Sequence, residues 1–132
     1  LAPESSGYHA GVVAGIGAGA RYRYRLDGGD AFPDPASRAQ PDGVHAPSEV
    51  VDPRAFAWTD DGWRGVAMER LVVYELHVGT FTPEGTFDAA IARLDDLAAL
   101  GVTAVEVMPV AAFPGRWNWG YDGVSLFAPA AP

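Results

Sequence analysis

The spacing of apolar residues changes character midway along the chain. In the first half they fall in short runs separated by glycine, proline and charged residues, with no helical recurrence. The stretch "RYRYRL" (residues 21–26) alternates strictly. Tyr22, Tyr24 and Leu26 point to one side and Arg21, Arg23 and Arg25 to the other, which predicts a half-buried strand. "DGGD" (27–30) supplies the turn that ends it. "YHAGVVAGI" (8–16) is the expected partner strand. "FPDPASRAQPDGVHAPSEVVDP" (32–53) carries too many prolines for regular structure and predicts a long loop hugging the surface. This half reads as the last strands of a β-sandwich.

In the second half the period lengthens. "LVVYELHV" (71–78) is a nearly continuous apolar strand, broken only by Glu75 and His77. After a turn at "TPEGT" (82–86), Phe87, Ile91, Leu94 and Leu97 or Ala98 recur at helical spacing. Thr86 is the expected N-cap, Asp88 suits the first turn, and Gly101 suits the position just past the C-terminus. "VTAVEVMPV" (102–110) is a second apolar strand, stopped by Pro109. Strand, helix and strand make a βαβ unit, whose two strands should run parallel. Such a unit cannot cover both faces of its own sheet, so it implies a larger α/β sheet or barrel.

Composition narrows the class. The chain has 132 residues, 48% of them hydrophobic and 20% charged, which describes a globular protein. Its 16 glycines and 11 prolines argue against a helical bundle. The net charge is −8, with every cation an arginine; that sign repels phosphate backbones and anionic lipid, so neither nucleic acid nor membrane is an expected partner. There is no cysteine, hence no disulfide framework and no thiolate ligand or nucleophile. No leader of basic then apolar residues follows Leu1, and a first residue other than Met suggests a cut or processed sequence. The expected compartment is the cytoplasm.

Several stretches invite a chemical reading. "GIGAGA" (15–20) satisfies the dinucleotide-binding fingerprint in letters, but that fingerprint needs a helix after the loop, and here the loop opens "RYRYRL". A glycine-rich β-turn is preferred. The three arginines of that strand read as a solvated face with local acidic partners. His9, His45 and His77 lack metal-binding spacing, and neither metal nor cofactor is expected. His77 shares a strand face with Glu75, so both are expected to be buried and hydrogen-bonded; a structural role for His77 is preferred over ligand contact. Glu75 and Glu106 sit on neighbouring strands and could form a carboxylate pair. They lie mid-strand, however, and buried structural carboxylates are preferred.

"PVAAFPGRWNWGYDGVSLFAP" (109–129) leaves the end of the second strand as an unusually long loop, and in barrels such loops carry function. Trp117, Trp119, Tyr121 and Phe127 supply ring faces, while Asn118 and Asp122 supply hydrogen-bonding groups. Trp117 and Phe127 are expected to bury their rings against the protein. Tyr121, set between Gly120 and Asp122, is expected to face a ligand.

The run from "ELHVGTFTPEGTF" to "NWGYDG" resembles the opening of the catalytic barrel in the α-amylase superfamily of glycoside hydrolases. It is most similar to the branch that holds branching and isoamylase-type debranching enzymes. "YRYRLDGG", "PDPASRAQPDGVHAPSEVVDP" and "WTDDGWRG" draw the likeness toward that branch's trehalose-releasing members. Ala46 stands where their pattern has glycine.

The resemblance implies a mixed fold. Residues 1–66 would be the C-terminal part of an N-terminal β-sandwich domain, immunoglobulin-like and of the carbohydrate-module type. Residues 67–132 would begin a (β/α)8 TIM barrel: strand 1, helix 1, strand 2 and the following loop, the barrel incomplete. It implies a retaining hydrolase acting on α-glucans, cleaving the α-1,4 bond next to the trehalose end of maltooligosyl trehalose. The family's catalytic Asp, Glu and Asp would lie downstream, so this chain is expected to hold no catalytic residue and to be inactive alone. The substrate-binding candidates are Tyr121, whose family counterpart stacks on the sugar, then Asp122, Trp119 and Asn118. A branching or debranching enzyme, or a non-catalytic carbohydrate-binding module, are the alternatives.

Overall fold

A computed structural model describes residues 1–131. The first half builds three small antiparallel ladders. β1 (Ala2–Pro3) pairs with β2 (His9–Ala10). β3 (Arg21–Tyr22) and β4 (Tyr24–Arg25) form the alternating stretch, and β5 (Ala31–Phe32) returns against β4, with Tyr24 opposite Phe32. Asp27 and Gly28 both take positive φ at the tip, where the amide N–H of Gly29 donates to the Leu26 carbonyl at 2.9 Å. Asp-Gly at these two positions matches the right-handed twist of a hairpin.

The partner of β3 differs from expectation. It is β6 (Ser48–Glu49), from the proline-rich stretch; residues 8–16 contribute only β2, which pairs with β1. The glycine-rich loop runs directly into this ladder, with Gly19 N–H donating to Val50 O and Val50 N–H to Ala20 O, each at 2.9 Å.

The proline-rich stretch also departs from the surface loop expected of it, because it holds the most buried polar residues. Ser37, Gln40 and Ser48 are almost fully buried. Prolines confine ladder pairing here to Ser48–Glu49, and elsewhere side chains take backbone groups, although the buried Gln40 amide itself has no partner. Ser48 Oγ accepts from Asp34 N–H at 2.9 Å, and Asp34 Oδ1 accepts from Ala36 N–H at 2.8 Å. The Tyr22 hydroxyl donates to Asp34 Oδ2 at 2.7 Å. Burial first, then this bond to a carboxylate, pushes the Tyr22 phenol up to about 12. On the opposite face Arg21 meets Asp42 at 2.8 Å and Glu49 at 3.2 Å, and Arg23 donates to His45 O at 2.9 Å. Only Tyr22 of the three apolar residues on its face is shielded; Tyr24 and Leu26 are exposed.

The second half holds the βαβ unit. β7 (Val73–Leu76) pairs in parallel with β8 (Ala104–Val107), Val73 opposite Ala104 and Leu76 opposite Val107. β7 is shorter than expected, because the chain turns at His77 into a single helical turn, α1 (Val78–Phe81). The crossover is two helices rather than one: α2 (Phe87–Ile91) and α3 (Leu94–Leu100). Asp95 and Asp96 occupy the first turn of α3, where carboxylates favour a new N-terminus, and Arg93 reaches Asp96 at 2.6 Å.

Both expected caps are present. Thr86 Oγ1 accepts from Ala89 N–H at 3.2 Å. Gly101 takes φ 100°, its N–H donating to Ala98 O and that of Val102 to Leu97 O, both at 3.0 Å. This double bond pattern closes a helix in a Schellman motif. Leu76, Val78 and Leu97 form a buried cluster with Phe81, Val102 and Val110 against it.

The alternation of β7 that directs Leu76 toward the helices directs Glu75 the other way. Glu75 and Glu106 are direct partners in the ladder, and both are exposed, contrary to the burial expected of them. Among the described residues no layer covers that sheet face.

Candidate functional site

The long segment after β8 is not wholly irregular. β9 (Ala111–Ala112) and β10 (Ser125–Pro129) pair antiparallel and gather residues 113–124 into a closed loop. Val124 N–H donates to Ala112 O at 2.8 Å at its neck. Ala112 and Ala128 pack with Val44 of the proline-rich stretch, so the two halves of the chain meet under this hairpin.

Within the loop, small and polar residues are tied inward and rings stand outward. Asn118 Oδ1 accepts from Gly120 N–H at 2.8 Å and from Asp122 N–H at 3.3 Å, the latter spanning Tyr121. Two converging backbone donors fix which way the Asn118 amide faces. Gly120 is buried with φ 103°, and a Cβ there would lie 2.5 Å from the Pro109 carbonyl oxygen. Gly123 sits equally close to the strand end, since its Cβ would lie 2.7 Å from that of Ala111.

The rings are the counterpart of this close packing. Trp117 is 78% exposed, Trp119 82%, Tyr121 71% and Phe127 65%. The burial expected for Trp117 and Phe127 is therefore not what the structure shows; the glycines and Asn118 occupy the inward positions instead. The Arg116 guanidinium lies 5.0 Å from the Trp117 ring centre, a cation–π contact at the rim. Asp122 is exposed beside Tyr121. The four binding candidates thus share one loop: Trp119, Tyr121 and Asp122 face solvent, and Asn118 is the half-buried anchor.

The anchor reaches β7. His77 Nε2 lies 2.7 Å from the Asn118 carbonyl oxygen. A carbonyl only accepts, so Nε2 carries the proton. Gly79 leaves room for the ring, because a Cβ there would touch His77 Cε1 at 3.0 Å. His77 is hydrogen-bonded, as expected, but only half-buried, and its partner is the loop backbone. That link is obscured by a sequence separation of 41 residues. Its signal is positional: His77 directly follows one parallel strand and Asn118 lies in the loop beyond the end of its neighbour. The buried Nδ1 of His77 and Nδ2 of Asn118 have no protein partner. Among the described residues no three His, Asp or Glu side chains converge as metal ligands. Among them, too, no helix is long and apolar enough to cross a membrane.

The chain is related to glycoside hydrolases of the α-amylase family. A 1.4 Å crystal structure of an alpha-amylase candidate from Salmonella typhimurium superimposes with a TM-score of 0.84 at 58% identity, covering 89% of this chain and 20% of that one.

Within that class the similarity is to malto-oligosyltrehalose trehalohydrolases. The one from Rhizobium sp. (strain M-11) is 52% identical over 127 residues, which is 96% of this chain and 21% of its own length. A 1,4-alpha-glucan branching enzyme from Xanthomonas oryzae pv. oryzae is 36% identical over 97% of the chain and 20% of its own length. The chain therefore spans about a fifth of the curated relatives it matches. No family model matches it.

Proposed function

We propose that this chain is the part of a retaining α-glucan hydrolase that supplies one wall of the sugar site. The enzyme would cleave the α-1,4 bond next to the trehalose end of maltooligosyl trehalose and release trehalose. The observation that carries this reading is the 52% identity to a malto-oligosyltrehalose trehalohydrolase along 96% of the chain. Residues 67–132 would be the start of a (β/α)8 barrel, and residues 1–66 the end of a β-sandwich domain before it. The uniformly exposed run of residues 53–70, apart from any core, supports a boundary there.

Tyr121 is the floor of a sugar subsite in this reading, with Trp119, Asp122 and Asn118 beside it. Support comes from the exposed rings, since apolar C–H faces of a sugar stack on such surfaces while its hydroxyls need nearby polar groups. Beneath the rings, Nδ2 of Asn118 and Nδ1 of His77 remain without protein partners. Retaining hydrolysis needs a nucleophile and an acid/base carboxylate flanking the scissile bond at the ends of barrel strands. In this reading the catalytic carboxylates belong to later barrel strands, so residues 1–132 are expected to be inactive by themselves.

Branching activity on the same substrate class is the second reading, favoured by the 36% identity to a branching enzyme. Product analysis separates the two. Incubation of the full-length protein with maltooligosyl trehalose is expected to release trehalose, and a branched glucan formed instead would establish the second.

A further inference from the structure

We infer that His77 is a positioning residue for Tyr121, locking the sugar-facing loop to the end of the first parallel strand. The inference rests on Tyr121 being the sugar floor. The links are continuous. His77 follows β7, and its own carbonyl accepts from Thr80 and Phe81 N–H at 3.0 and 2.9 Å, so its backbone is fixed by α1. Its ring then donates to the Asn118 carbonyl at 2.7 Å. The Asn118 side chain in turn holds the N–H groups of Gly120 and Asp122, the residues on either side of Tyr121.

An exposed tyrosine ring has no packing of its own to fix it, so its direction is set by the backbone beneath. Here that backbone is held from both sides by one asparagine, and the asparagine by one histidine. Removing His77 leaves a part-buried carbonyl without its donor and frees the Asn118 hinge, while every ring and every sugar contact stays chemically intact. A loop that wanders by about 1 Å at this point weakens an aligned stacking surface without unfolding the strands below it.

The test compares full-length wild type with His77→Ala, His77→Gln and Tyr121→Ala, by amide hydrogen exchange and by titration with maltotetraose. His77→Ala is expected to speed exchange at residues 118–122 at least tenfold and to weaken maltotetraose binding by roughly three- to tenfold, the loss of one part-buried hydrogen bond. His77→Gln, whose side-chain amide can donate to the same carbonyl, restores most of both. Tyr121→Ala weakens binding and leaves exchange at Gly120 and Asp122 unchanged.

Unchanged exchange and binding in His77→Ala overturns the inference. So does faster exchange throughout the chain that glutamine does not restore, because His77 would then only support the fold. If His77→Ala loosens the loop but neither it nor Tyr121→Ala alters binding, the lock stands and the sugar-floor reading falls.

Discussion

Gly120 rests against Pro109 so closely that a single added methyl group would lie 2.5 Å from the proline carbonyl oxygen, and its φ of 103° excludes a side chain independently. This contact seats the aromatic loop on the end of the second parallel strand. Gly120→Ala is therefore expected to lower stability by about 1–3 kcal/mol through backbone strain and displacement of the loop. Chemical denaturation checks the stability, and weaker maltooligosaccharide binding should accompany the loss. An alanine variant equal to wild type in both would show that the loop is not seated in this way.

Tyr22 gives the upstream half a signature at high pH. Its phenol is raised to about 12, against an ordinary value of 10.0. A group whose folded value is raised stabilises the fold fully below its unfolded value and loses that contribution as pH climbs through the folded one. Stability should thus decline between about pH 10 and pH 12. Absorbance titration should resolve one tyrosine with a midpoint near 12 that Tyr22→Phe removes. A titration without that late transition would refute the part-buried Tyr22–Asp34 bond.

The crossover depends on its caps and on a small cluster. Thr86→Ala should cost about 1 kcal/mol, since Ala89 N–H loses its acceptor. Leu97→Ala removes a buried side chain that packs on Leu76 and Val78, and should cost roughly 2–4 kcal/mol. Urea midpoints for the two variants should keep this order. The reverse order would mean that the helix is held by its ends rather than by its buried face.

Where local chemistry decides the structure, the sequence was legible. Thr86 and Gly101 marked the ends of the crossover, and two continuous apolar runs gave parallel strands. The break between α2 and α3 was also written locally, in Asp95 and Asp96, but the apolar recurrence through Leu94 concealed it. Long-range pairing was harder to read. β3 meets Ser48–Glu49 over two residues only, too few for any alternation to announce, and the contact lies inside a proline-rich stretch. Ring burial was misjudged for a related reason. Aromatic content does not tell which side of a loop faces inward; at residues 117–121 that was settled by Asn118 and Gly120, which bond and pack beneath the rings. The same holds for Glu75 and Glu106, whose face of the sheet has no covering layer among the described residues.

The most direct test of the account is trehalose release from maltooligosyl trehalose by the full-length protein and by its Tyr121→Ala variant. Thermal melts of both proteins are run alongside, so that loss of folding is told apart from loss of stacking. The account predicts trehalose from the wild type and a fall in kcat/KM of about tenfold or more in the variant, equivalent to roughly 1.4 kcal/mol of lost stacking. An unchanged kcat/KM, or no trehalose from the wild type, would contradict it.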